Sequence, residues 1–200
     1  MARKVSITKD MILEAALRML IRDGYPSINI KSLAAEAGCS TQPIAWHFEN
    51  MEGLRRALTV YAREYAEKKI ATCADNAVDA FEEMGRAYIA MAKNEPNLFR
   101  FLYIGERRIS KPLGIEGLDI TGNDIISGDK DMAAGIARQT GLSYKRAQEC
   151  IRSTIVYSHG LAVMIASGVL DISEDEAMRM IKHASECFVS GGKHERQGKA

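Results

Sequence analysis

No run of this sequence approaches the roughly 18 consecutive apolar residues that a membrane-spanning helix needs. There is no internal repeat and no low-complexity tract. An excess of one charge is also missing: 27 basic and 26 acidic side chains leave a formal net charge of +1. Residues 1–60 hold eight basic and six acidic residues. That excludes a polybasic tail, so any nucleic-acid binding must rest on a local surface. The four cysteines, Cys39, Cys73, Cys150 and Cys187, are far apart and form no C-x-x-C pair. Arg3 and Lys4 are not followed by the apolar stretch of a secretory signal. The expectation is reduced thiols in a cytoplasmic protein.

Signs of catalytic chemistry are absent as well. His47, His159, His183 and His194 are scattered with no H-x-x-x-H pair on one helical face, so no metal is expected. His159 reads as a hydrogen-bonded core histidine. There is no G-x-S-x-G, no strand pattern to carry a G-x-G-x-x-G, and no Lys-Ser/Thr after the glycines of 114–122. Neither enzymatic activity nor a cofactor is expected.

What is present centres on residues 33–54. Leu33, Ala34 and Ala37 share one helical face. Gly38 supplies the left-handed residue that ends that helix, and Ser40 offers a cap for the next. The second helix, Thr41 to about His47, tolerates Pro43 because it lies in the first turn. Asn50 can cap a third helix, which Leu54 enters on its buried side. Two short helices joined by a glycine turn are the helix-turn-helix, whose second helix enters the DNA major groove. Ordinary helical bundles use the same punctuation.

Further blocks stand in register with this one: Ile12–Leu20, Asp23-Gly24-Tyr25, Leu33-Ala34, Ala37-Gly38, Ser40, His47-Phe48, Glu52 and Leu54. Together they resemble the N-terminal domain of the TetR/AcrR family of bacterial transcriptional regulators, over about residues 7–65. The resemblance implies an all-α chain. A helix-turn-helix domain (6–65) would join, through a long helix, a helical ligand-binding and dimerisation domain (66–200). It implies a sequence-specific DNA-binding regulator, acting as a homodimer on a near-palindromic operator, with repression relieved by a small-molecule inducer. The alternative is a ligand-sensing helical dimer whose head binds a protein partner in place of DNA.

The DNA-contacting set carried over is Lys31, Thr41, Gln42, Pro43, Ala45, Trp46, His47, Asn50 and Met51. Here the sequence departs from the family. Gln42-Pro43 replace its Gly-Thr pair, Ala45 its phosphate-touching tyrosine, and Met51 the lysine that opens helix 4. His47 matches its phosphate-contacting histidine. Gln42 can pair with adenine N6/N7, and Ala45 or Pro43 can meet a thymine methyl. Thr41 and the Trp46 Nε1–H can bind phosphates without formal charge. Phe48 reads as the core plug beneath the recognition helix.

The remaining pattern predicts helices from Thr8, at Met51–Cys73, Ala77–Asn94, from Pro96, at Lys130–Thr140, from Ser143 to about Ala166, and from Ser173 to before Gly191. The glycine-rich stretch Gly105–Lys130 reads as a loop that could gate a ligand site, and 191–200 as a polar tail. His159-Gly160 resembles part of a Trp-His-Gly signature of some family C-terminal domains, with Ser158 at the tryptophan position. The small residues Gly160, Ala162, Ala166 and Ser167 suit a close helix approach, across a two-fold axis or within one subunit. Met84, Tyr88, Met91, Phe99, Tyr103, Tyr157 and His159 are candidates to line a cavity for a neutral or mildly amphipathic ligand. The same spacing also fits plain core.

Overall fold

The computed structural model describes residues 7–71, 74–104 and 130–191. Cys73, His194, the glycine-rich connection at 105–129 and the tail from 192 lie outside the described residues. The described residues form helices and turns in two compact units: residues 7–69 with 94–104, and residues 70–71 and 74–93 with 130–191.

In the first unit, each helix start and stop has a local chemical cause. α1 (Lys9–Asp23) begins where the Thr8 hydroxyl accepts the Met11 N–H at 3.2 Å, and it ends at Gly24, whose φ is +83°. Its apolar stripe buries Ile12, Ala15, Ala16, Met19 and Leu20, and also Leu13 and Leu17. After a 3₁₀ turn at Tyr25–Ser27 comes α2 (Ile30–Glu36). Asn29 and Ser32 cap its start reciprocally, each side chain serving the other's backbone N–H. α3 (Thr41–Phe48) and α4 (Met51–Ile70) follow. On α4 the buried line is Leu54, Leu58, Ala62 and Ala66, one turn apart, while Tyr61 and Tyr65 are half-buried beside it. Alanines at 62 and 66 let a neighbour lie close, which an aromatic there would prevent.

The first compact unit runs on to Lys69 and takes in the short segment from Asn94. α5 (Ala77–Asn94) is followed by α6 (Pro96–Phe99), which continues as a π-helical turn at Arg100–Ile104. α6 packs on α1, and Leu98 and Phe99 are fully buried. The Asn97 amide donates to the Ile21 and Arg22 carbonyls at 3.1 and 3.2 Å, satisfying groups that the end of α1 leaves open. Its own oxygen accepts from Arg100 at 2.6 Å. Tyr65 donates to Glu95 Oε1 at 3.0 Å, and Lys69 pairs with the same oxygen. Residue spacing alone shows none of this, because each partner is tens of positions away.

The second unit contains α5, α7 (Lys130–Thr140), α8 (Tyr144–Ala166) and α9 (Glu174–Gly191). Ser143 and Ser173 cap α8 and α9, accepting from Arg146 and Glu176 N–H groups. Gly141 and Gly168, with φ of +69° and +70°, end α7 and α8 as the sequence implies. Ala133, Ile136, Ala147 and Ile151 form a buried cluster between α7 and α8, with Phe81 of α5 against it. α9 returns along α8, and its Phe188 carbonyl receives the Arg146 guanidinium. Ala162 and Ala166 are buried inside the subunit, whereas Gly160 and Ser167 are exposed.

Gly135 of α7 lies against Ala77, the first residue of α5: a Cβ there would stand 2.5 Å from the Ala77 Cβ. Gly135→Ala is expected to lower stability by about 1–3 kcal/mol through overpacking. The helix propensity gained from alanine, about 1 kcal/mol, works against that loss. The urea midpoint measures the balance, and an unchanged or higher midpoint would mean that the two helices are not in close contact.

Candidate nucleic-acid interface

The turn between α2 and α3 is built as the sequence implies. Gly38 has φ +65°, and the N–H groups of Gly38 and Cys39 return to the Ala35 and Ala34 carbonyls at 3.2 and 2.9 Å. Ser40 has the extended backbone of a cap residue, but its hydroxyl makes no capping hydrogen bond. α3 buries Ile44 and Phe48 and turns Thr41, Gln42, Ala45 and Trp46 outward. Pro43 is half-buried. Trp46 is 78% exposed, an unusual place for the only indole in the chain. Lys31 is exposed in the first turn of α2, and Met51 is half-buried at the start of α4.

Two of the expected DNA residues already have structural partners. His47 Nε2 lies 3.3 Å from the Ile7 carbonyl, so the ring N–H donates there. In that tautomer Nδ1 is an acceptor, and a phosphate contact by neutral His47 needs a different arrangement of protons. Asn50 caps α4, its Oδ1 accepting the Gly53 N–H at 2.9 Å.

The join between α3 and α4 is strained. Glu49 has φ +63° and ψ −50°, the only non-glycine positive φ among the described residues. The Asn50 N–H reaches back to the Phe48 carbonyl at 2.6 Å. That is a γ-turn of the rarer hand, costly for a residue with a Cβ. The same Phe48 carbonyl oxygen sits 2.1 Å from where a Gly53 Cβ would be. Glycine at 53 is therefore required by backbone, not by a movable side chain.

Most basic side chains of this unit are occupied. Arg18 and Arg22 both reach Glu36, at 3.6 and 3.1 Å, and tie α1 to α2. Hydrogen bonding to Arg22 holds the Glu36 carboxylate below its usual range. Arg55 lies over the Tyr25 ring, 5.1 Å from its centroid. Lys9 and Arg56 line an open groove beside His47 and Phe48, a placement the sequence reading missed. One signal was available: a lysine in the first turn of α1 opposes the helix dipole, so it suits some other purpose.

The candidate ligand residues fall in different units. Phe99 and Tyr103 belong to the first, where their rings pack 5.0 Å apart and burial pushes the Tyr103 phenol up. Fully buried Phe99 is core of the head. Met84, Tyr88, Met91, Tyr157 and His159 belong to the second. There the Tyr88 hydroxyl meets His159 Nδ1 at 2.8 Å, and burial pushes the imidazole below its usual range. Met91 is buried.

The fold and this surface define an all-helical protein with an N-terminal helix-turn-helix head. Residues 12–58 match the family described as bacterial regulatory proteins, tetR family. A stretch of 59 residues is 34% identical to an HTH-type transcriptional regulator of Mycobacterium tuberculosis, covering 30% of this chain and 27% of that protein. The match thus spans about a quarter of the relative's length. Over nearly the whole chain the fold is similar to two solved structures. A TetR-like transcriptional regulator from Rhodococcus sp. RHA1 gives a TM-score of 0.62 at 13% identity, over 92% of this chain and 96% of that one. A TetR variant from Acinetobacter baumannii AYE, in complex with minocycline, gives 0.54 at 17% identity, over 96% and 99%. The chain is thus similar to TetR-family regulators in sequence over residues 12–58 and in fold over most of its length.

Gly53→Ala is expected to destabilise the head by about 3 kcal/mol or more, since a backbone oxygen must move. Glu49→Gly, which relieves the positive φ, is expected to stabilise it by about 1 kcal/mol. Urea unfolding of both variants checks the pair. Equal midpoints would mean that the join relaxes freely.

Proposed function

We propose that the protein is a sequence-specific DNA-binding transcriptional regulator, a repressor released by a small-molecule inducer, and that it has no catalytic role. The observation that carries the reading is α3: Thr41, Gln42, Ala45 and Trp46 project from a helix anchored by buried Ile44 and Phe48. TetR-family regulators bind operator DNA, and the matched residues 12–58 include this helix. Among the described residues no helix is long and apolar enough to cross a membrane, which is consistent with a cytoplasmic regulator.

The proposed assembly is a homodimer through the outward faces of α8 and α9. Val156, Gly160 and Met164 lie one turn apart on α8, all exposed, and Met180 is exposed on α9. Ala166, also a candidate, is only 2% exposed within its own subunit, and Met178 and Ile181 are buried as well. An arginine at 166 would therefore disrupt the subunit itself. Met164→Arg is the cleaner test and is expected to give folded monomers in analytical ultracentrifugation. A folded variant that stays dimeric would place the interface on another face.

For the inducer, the second unit offers Met84, Tyr88, Met91 and Tyr157 with one polar pair, Tyr88 and His159. Soft methionines and aromatic faces with few polar groups favour a neutral or mildly amphipathic ligand. Release would be a population shift, so the inducer must bind the non-DNA-binding conformation more tightly.

A two-fold dimer requires a two-fold operator. Selection from random DNA is expected to enrich a near-palindromic site. Gln42→Ala is expected to relax preference at one base pair per half-site, at about 1–3 kcal/mol. With no symmetric motif enriched, the DNA reading fails, and a head that binds a protein partner takes its place.

A further inference from the structure

A helix lying in the major groove has backbone phosphates on both flanks, and phosphate contacts fix its register. The side chains that α3 projects outward, Thr41, Gln42, Ala45 and Trp46, carry no charge. Positions 45 and 51, where the family resemblance puts a tyrosine and a lysine, hold Ala45 and Met51. Arg18 and Arg22 are tied to Glu36, and Arg55 lies over Tyr25. Exposed Lys31 on α2 is then the one cation left of the expected DNA-contacting set, and a phosphate beside the end of α3 needs a further source of positive charge.

Lys9 and Arg56 supply one. Both line an open groove of about 350 Å³ among the first turn of α1, the end of α3 and α4. Lys9 forms no ion pair among the described residues, and its ammonium lies 5.7 Å from the Phe48 ring centroid. Phe48 is the plug that anchors α3, so Lys9 is referenced directly to the recognition helix. Arg56 reaches Glu52 at only 3.9 Å, with both side chains mostly exposed. Such a pair is worth little and yields easily to a stronger anion. His47, next to outward-facing Trp46 on α3, also lines the groove, which puts the groove on a flank of the recognition helix. Val60 adds an apolar wall that is 58% exposed. Two cations beside an apolar wall match a sugar–phosphate unit better than a bare inorganic anion. The sugar's C–H groups can cover Val60 while the phosphate meets the charges.

The geometry points to this groove as a seat for one DNA backbone phosphate per half-site, clamped by Lys9 and Arg56 and blind to base sequence. The inference rests on the DNA-binding reading above and says where that head finds its charge. Glu49 lines the same groove and opposes the phosphate, so it weakens the clamp.

The test uses the full chain and the operator recovered by selection, with affinity measured between about 50 and about 200 mM salt. Lys9→Gln and Arg56→Gln are each expected to reduce the log–log salt slope by about 1 per half-site, with the selected base motif unchanged. Lys9→Arg should restore the slope. Glu49→Gln should tighten binding to all sequences alike, a change of opposite sign that loss of structure would not produce. Wild-type binding with unchanged slopes in both glutamine variants overturns the clamp and leaves the DNA reading standing. If the wild type binds no DNA at any salt, the DNA reading fails and the clamp with it.

Discussion

One carbonyl group sets the geometry of the head. The Phe48 oxygen accepts the Asn50 N–H and lies where a side chain on Gly53 would begin. Because that oxygen belongs to the last residue of α3, the angle between α3 and α4 is fixed by backbone against backbone. Glu49 bears the strain of the turn that brings it there. The Phe48 ring is buried in the same place and carries Lys9 above it. Recognition helix, following helix and the start of α1 thus share one anchor. A head that must present side chains in a fixed register benefits from such stiffness, since ordering a loose helix on binding would cost affinity.

The second constraint is electrostatic. A net charge near zero gives the chain little long-range attraction for DNA. Glu36 further ties up two arginines, and these exposed pairs contribute little stability while holding α2 against α1. Positive charge is left at a few separate points: Lys31 on α2, Lys9 on α1 and Arg56 on α4. Exposed Trp46 adds an N–H donor and a large apolar face between them. In the proposed complex with DNA, such a surface would gain less from counterion release than a basic one and would leave a larger share of binding to base contacts and shape.

Helix punctuation was legible in the sequence because its causes are local. Gly24, Gly38, Gly141 and Gly168 all have positive φ, and Thr8, Asn50, Ser143 and Ser173 all cap the helices that start at them in the sequence pattern. Ser40 was the exception: its position is right, but its hydroxyl is not used. Facts that depend on long-range partners were not legible. On α4, Tyr61 and Tyr65 share a helical period with Leu54 and Leu58, yet alanines 62 and 66 complete the buried line. The small residues of α8 divided between the inside and the surface, so that Ala166 proved to be core and Gly160 surface. The outward face of the recognition helix could be read from its period, but the groove beside it could not. It joins residues 9, 47 and 56, which only the packed head brings together.

Residues 94–104 tie the chain that leaves α5 into the head. A single residue, Glu95, separates α5 from α6. Its carboxylate is held by Tyr65 and Lys69 near the end of α4. Two positions later, Asn97 holds the last carbonyls of α1. The chain leaving the second unit is therefore bonded, within three residues, to both the first helix of the head and the helix that follows the recognition helix. Any displacement of the end of α5 is carried covalently to Glu95. There the contacts to Tyr65 and Lys69 resist it. Because Gly53 and Phe48 join α4 to α3 through backbone, moving α4 moves the recognition helix as well.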